Sequence, residues 1–306
     1  GKIDLRGPGA LPLLQRLADN QMDVPVGRAV YTQFLNTKGN VEADVTITRL
    51  APDHFRLVTG SNFIGNDLGL VRMGLRPGDP PVEIRDVTEE LATIGLWGPK
   101  ARQVLQAVST SDVSNQALPY MSSAVIDIQG VPVLAQRVTY VGELGWEFYP
   151  PIERALHVWD ALFAAGQKFG IEPGGYKVLD TLRLEKGYRY YSMDVTMTEN
   201  PYMGGLGFCV RLNKGDFIGR EALVRIKEKG LTHKLCTLLV GGAEYLTIYG
   251  GEAVLQGAEV VGRLRSSGYG FTIRRNIAYS YLPVALAKPG TKLEVEVFGE
   301  RIAAEV

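Results

Sequence analysis

The sequence predicts an α+β protein that ends in a small β-barrel. Up to about residue 232, short extended runs alternate with runs of helical period. From His233 onward only strand-like runs follow, separated by glycine turns at the spacing of a barrel. With 306 residues, 45% of them hydrophobic, the chain can hold two or three subdomains with cores of their own. The expected division is a mixed body over 1–232 and a barrel domain over 233–306.

The elements follow in order. Ile3 to Arg6 reads as a strand, and Gly7-Pro-Gly-Ala turns the chain into a helix near Ala10 to Asp19, where Leu11, Leu13, Leu14 and Leu17 recur near helical period. Ala29 to Leu35 and Val41 to Arg49 form a hairpin about Asn36–Asn40, and Phe55 to Thr59 a third strand. A helix near Phe63 to Gly74 follows, with Asn62 as its expected cap. Val82 to Val87 and Ala92 to Trp97 read as strands, and Gly98-Pro99 opens a helix through Val108. Ser122 to Ile128 and Val131 to Val138 pair over Gln129-Gly130. Pro150-Pro151 stops the next strand, and a helix runs from Glu153 to Gly166 with Leu156, Trp159, Leu162 and Phe163 as its apolar stripe. Tyr176 to Glu185 is a helix, Gly187 to Pro201 is irregular, Leu206 to Leu212 reads as a strand, and Phe217 to Glu228 is helical with a cap at Lys229-Gly230. Five barrel strands begin near Cys236, Glu252, Glu259, Asn276 and Lys292, and Arg301 to Val306 again reads as strand.

Several function classes are argued against. Lys plus Arg and Asp plus Glu number 33 each, so no net field draws the chain to nucleic acid or an anionic membrane. Cys209 and Cys236 sit in no C-x-x-C and no zinc spacing, which suits a reducing compartment. No apolar run approaches the ~20 residues of a membrane helix, and no targeting segment is visible. The cytoplasm, or a mitochondrial matrix, is the expected location. His54, His157 and His233 have no Ser or Cys partner at a motif spacing, which argues against a hydrolytic triad or a metal site. A chain that opens at Gly1 and stops at Val306 within strand patterns is expected to be part of a longer polypeptide.

The most informative stretch is Val138-Thr-Tyr-Val-Gly-Glu-Leu-Gly-Trp-Glu-Phe-Tyr149. Gly142 and Gly145 allow a tight turn and a close backbone approach. Glu147, between Trp146 and Phe148, is expected to be partly buried and so to need donors. Two readings remain open on these residues alone: a hairpin turn with one internally satisfied acid, or a carboxylate awaiting a ligand's N–H groups.

Tyr140-x-Gly142-Glu143-x-Gly145-x-Glu147 resembles the Y-x-G-E-x-G-x-E signature of the glycine cleavage T-protein (aminomethyltransferase) family, which includes the folate domains of dimethylglycine and sarcosine dehydrogenases. Asp180-x-Leu-Arg183-Leu-Glu-Lys-Gly-Tyr188, with Asp194, Pro201 and Gly205, resembles the next family block, and Lys214-x-Asp-Phe-Ile-Gly-Arg-Glu221 the third. The blocks keep their order through almost the whole chain. The resemblance implies a cloverleaf of three subdomains around a folate channel. It implies tetrahydrofolate as cofactor, and FAD only in a domain upstream of this chain.

That ligand carries an N–H donor edge, nitrogens N5 and N10, and an anionic tail, so its holder needs carboxylates and aromatic walls. By resemblance Glu147 meets the donor edge and Tyr140 lines the same pocket. Asp67, which alone would merely favour the helix dipole, becomes the catalytic acid or base near N10. Arg183 is placed at the channel, where its planar fork suits a carboxylate, and Tyr191 is placed near the pterin. The form Glu185-Lys-Gly-Tyr-Arg189 is similar to the dehydrogenase-fused members. The expected activity is therefore one-carbon transfer to tetrahydrofolate, giving 5,10-methylenetetrahydrofolate, from an iminium made by a fused FAD-dependent N-methyl amine dehydrogenase. The alternative is a stand-alone T-protein served by an aminomethyl-lipoyl carrier. A non-catalytic folate-binding module is disfavoured, because Asp216 stands where such relatives carry Cys.

Overall fold

The computed structural model describes residues 1–306. It divides into two compact units. The first comprises residues 1–34, 43–173 and 213–217, and the second residues 35–42, 174–212 and 218–306.

The first unit begins with β1 (Lys2–Arg6) and α1 (Ala10–Leu17). The hairpin of β2 (Ala29–Leu35) and β3 (Val41–Ala51) follows, its tip at residues 35–42 counted with the second unit. Next come β4 (His54–Val58), α2 (Ile64–Met73) and β5 (Glu83–Asp86). These strands make a five-stranded sheet in the order β2-β3-β4-β1-β5. Strict alternation on β3 buries Val41, Ala43, Val45 and Ile47 on one face and turns Glu42, Asp44 and Thr46 to the other.

β6 (Ile94–Trp97), α3 (Ala101–Gln106), β7 (Ser123–Ile128), β8 (Val131–Gln136), β9 (Gly145–Tyr149) and α4 (Ala155–Gly166) complete this unit. The second sheet has the order β6-β9-β8-β7. Its inner face presents Ile94, Leu96, Ile126, Ile128, Val131, Val133, Ala135, Trp146 and Phe148 to α3 and α4. The period of two then sends Gly95, Gln136, Glu147 and Tyr149 to the opposite face.

The second unit holds α5 (Tyr176–Lys186), α6 (Arg220–Lys229) and a closed barrel. Its strands are β10 (His233–Val240), β11 (Ala253–Gln256), β12 (Glu259–Gly270), β13 (Arg275–Pro283), β14 (Lys292–Val297) and β15 (Glu300–Glu305), in the order β10-β13-β12-β11-β14-β15. The barrel predicted from His233 onward is thus observed with six strands, and the class is α+β.

Three local expectations are corrected. Leu206 to Leu212 is not a strand. Its N–H groups are spent locally, Leu206 on Pro201, Cys209 on Leu206 and Val210 on Gly207, and the positive φ of Gly205 (+72°) breaks the extended run. Asn62 does not cap α2; it lies inside a 3₁₀ turn, Ser61–Phe63, that leads into the helix. Only Leu162 of the expected apolar stripe of α4 faces the core. Val158 and Leu162 are buried, whereas Leu156 is 71% exposed and Trp159 40%, with the Trp159 ring stacked on Phe163. This helix is apolar on two sides, so periodicity alone did not select the side that packs.

Candidate functional site

The turn before β9 is built as its glycines require. Gly142 has φ +78°, and a Cβ on Gly145 would lie 2.0 Å from the Leu96 carbonyl oxygen, so only glycine lets β9 close on β6. This registers Glu147 between Gly95 on one side and Gln136 on the other. Glu147 is half-buried. Its Oε2 accepts the Tyr149 hydroxyl at 2.5 Å, a partner two residues along the same face. Burial pushes its pKa above the ordinary carboxylate value, while the Tyr149 hydrogen bond and the Lys2 charge pull it back. Tyr140 lies half-buried in the loop between β8 and β9.

Gln136 is 1% exposed, and its Oε1 accepts the Thr48 hydroxyl of β3 at 2.7 Å. Thr48 lies four residues beyond Asp44 on a strand, about 13 Å along it. The polar faces of β3 and of β8–β9 therefore meet in one layer.

Asp44 is the residue that sequence reading missed. Gln33 Nε2 donates to its Oδ1 at 2.8 Å. Burial, offset by the Gln33 and Tyr31 hydrogen bonds and reinforced by the nearby Asp67 carboxylate, raises its pKa to about 6. The available signal was the polar alternation Glu42-Asp44-Thr46-Thr48 on a strand read only as half of a hairpin.

Asp67 is fully buried at the first turn of α2. Asn66 Nδ2 donates to its Oδ1 at 3.1 Å, and its Oδ2 has no protein partner. Burial raises its pKa, with the Thr59 and Asn66 side chains opposing. Asp4 shows the contrast. It is equally buried, but Arg56 forks onto both its oxygens at 2.7 and 2.9 Å and His54 adds a third contact, which holds its pKa well below the usual range. No guanidinium forks onto Asp44 or Asp67, so burial prevails and they favour the proton.

Arg183 and Tyr191 lie in the second unit. Arg183 is 2% exposed. Its guanidinium donates to Asp194 Oδ2 at 2.6 Å, Ser266 Oγ at 2.7 Å, Asp180 Oδ1 at 3.2 Å and the Tyr188 carbonyl at 3.2 Å. Tyr191 donates its hydroxyl to the Glu42 carbonyl at 2.7 Å. A cleft of about 360 Å³ in the same unit, between α5 and Phe271-Thr272, contains none of the candidate residues.

An α+β body with a six-stranded C-terminal barrel and the Y-x-G-E-x-G-x-E turn is the architecture of the T-proteins. Residues 1–214 match the GCVT N-terminal domain and residues 233–306 the glycine cleavage T-protein C-terminal barrel domain. The chain belongs to the glycine cleavage T-protein (aminomethyltransferase-type) family. It is 35% identical to mitochondrial dimethylglycine dehydrogenase of Homo sapiens over its whole length, which spans 35% of that relative. It is 33% identical to mitochondrial sarcosine dehydrogenase of Mus musculus, again spanning 35% of it. It is 36% identical to the aminomethyltransferase of Symbiobacterium thermophilum, of which it spans 82%. The chain thus spans about a third of the length of the dehydrogenases that it matches. The crystal structure of glycine cleavage system aminomethyltransferase T from Bartonella henselae superposes with a TM-score of 0.88 at 24% identity, covering all of this chain and 82% of that one, which shows the shared fold. No helix is long and apolar enough to cross a membrane.

Proposed function

We propose that this chain is a tetrahydrofolate-dependent one-carbon transferase. The observation that carries the reading is a fully buried carboxylate oxygen, Asp67 Oδ2, without a protein partner, beside a second proton-favouring acid, Asp44. Such a pair is costly to keep unless it serves a ligand or a reaction. The donor set fits the cofactor: acids for its N–H groups, with Trp97 over Gly95 beside Glu147 and Tyr140 in the preceding loop as aromatic surface.

Bound tetrahydrofolate would supply the nucleophilic nitrogens that take up the one-carbon unit. The chain's own residues then have distinct tasks. Glu147 accepts from the pterin donor edge, oriented by the Tyr149 hydroxyl. Asp67 and Asp44 hold or release a proton near N10, a role suited to acids shifted towards neutrality. Arg183 contributes by fixing Asp194 and the Tyr188–Asp194 segment that carries Tyr191. Residues 1–232 are read as the folate-holding body, and 233–306 as the barrel domain.

The one-carbon donor is read as an iminium produced by an FAD-dependent N-methyl amine dehydrogenase on the same polypeptide. Support comes from the Glu185–Arg189 form and from relatives named as dimethylglycine and sarcosine dehydrogenases. The second reading, a stand-alone T-protein served by an aminomethyl-lipoyl carrier, is favoured by the large share of the Symbiobacterium aminomethyltransferase that the chain spans.

Formation of 5,10-methylenetetrahydrofolate from each donor, followed for wild type, D67N and D44N, tests the proposal. At least one Asn variant should lose ~100-fold or more in transfer while keeping folate affinity within a few fold. Wild-type rates in both would remove the acid pair from the reaction.

A further inference from the structure

We propose that Gln136 is a specificity-determining residue. In this reading Gln136 and Glu147 form a matched donor–acceptor pair for the 2-amino-4-oxo edge of a pteridine, and Gln136 Nε2 donates to the ring's C4 carbonyl. The inference rests on the folate reading above and adds a residue that the shared signature does not contain.

Three observations support it. Gln136 and Glu147 are direct cross-strand partners of β8 and β9. Facing residues project to the same side of a sheet with Cβ atoms about 5 Å apart. Second, the Gln136 amide is pinned. Its Oε1 is held by the Thr48 hydroxyl at 2.7 Å, and both residues are buried. A planar amide fixed at its oxygen has a fixed nitrogen, so Nε2 cannot turn to seek another acceptor. Third, Nε2 has no partner in the protein. The amide thus stands beside the Glu147 carboxylate without bonding to it.

A 2-amino-4-oxo pteridine presents, side by side, a carbonyl acceptor at C4, an N3–H donor and a 2-amino donor. A carboxylate takes the two donors, and the carbonyl beside them then needs a donor from the protein. The pair Glu147 and Gln136 supplies that pattern. On the other side of Glu147 stands Gly95, which carries no side chain. A Cβ there would meet the Trp97 ring at 2.2 Å, so the indole lies over that position as a wall. Trp97 Nε1 is itself engaged by the Val138 carbonyl at 3.1 Å, which leaves Gln136 as the free donor on this face. A 4-amino pteridine reverses the pattern at C4 by placing a donor against the Gln136 donor. A site that reads this edge rejects such an analogue because it leaves buried groups mismatched.

The test is the ratio of affinities for tetrahydrofolate and its 4-amino counterpart, titrated into wild type, Gln136→Glu and Gln136→Met. Wild type should favour the 4-oxo compound. Gln136→Glu, which replaces the donor by an acceptor, should reduce that preference by about tenfold or more. Gln136→Met should weaken the 4-oxo compound by about five- to thirtyfold and leave the 4-amino one nearly unchanged. A role in packing alone would weaken both ligands alike and leave the ratio where it was. Should the glutamate variant not fold, the methionine variant still decides. An unchanged ratio with tetrahydrofolate still bound overturns the role of Gln136 and leaves the folate reading standing. Failure of wild type to bind either compound overturns both.

Discussion

Arg183 and Asp194 form an ion pair in which Nη1 and Oδ2 are 2.6 Å apart and both side chains are at most 2% exposed. Asp194 also accepts the Tyr190 and Ser266 backbone N–H groups at 2.8 and 3.0 Å. Removing one partner strands a buried charge, which costs about 3–5 kcal/mol. Arg183→Met should therefore lower unfolding stability by that order in a urea titration. Arg183→Lys should be nearly as damaging, since an ammonium cannot serve four acceptors in a planar fork. A variant of wild-type stability that loses only folate affinity would instead make Arg183 a direct ligand contact.

Asp44 gives a pH signature. Its pKa is raised from 3.8 to about 6, so between those values the folded state binds more protons than the unfolded one. Stability then falls as pH rises through this window, and the penalty is complete above it. Asp44→Asn removes the penalty. It should be more stable than wild type by about 1–3 kcal/mol at pH 8 and equal to it below pH 4. Denaturant midpoints at pH 4, 6 and 8 measure this; a constant difference across the series would show that Asp44 is not the titrating group.

The two-sided helix α4 separates packing from pattern. Leu162, 3% exposed, belongs to the core beneath the second sheet, whereas Leu156 is 71% exposed. Leu162→Ala should cost about 2–5 kcal/mol and Leu156→Ala no more than about 0.5 kcal/mol, as read by thermal or urea unfolding. Equal losses would mean that the outer stripe is buried in solution.

These cases show which features the sequence made legible. Alternation and glycine turns gave the barrel and the β7–β8 hairpin, because period two and positive-φ residues are local properties. The glycines around Glu147 marked the close approach of β9 to β6 for the same reason. Asp44 was hidden because its environment comes from Gln33 on a neighbouring strand and Asp67 on a helix, neither of which a strand pattern encodes. The saturation of Arg183 was half legible: the i,i+3 spacing pointed to Asp180, but the shorter bond goes to Asp194, eleven residues on through irregular backbone. Leu206 to Leu212 misled because its apolar residues pack from a series of turns.

Glu147 is the proposed acceptor for a reduced folate. Calorimetric titration of tetrahydrofolate into wild type and Glu147→Gln tests it most directly. The wild type should bind one equivalent, and the Gln variant, which loses a charged acceptor, should bind about 10- to 100-fold more weakly with its melting temperature little changed. Equal affinity in the two proteins, or no binding by the wild type, would contradict that role of Glu147.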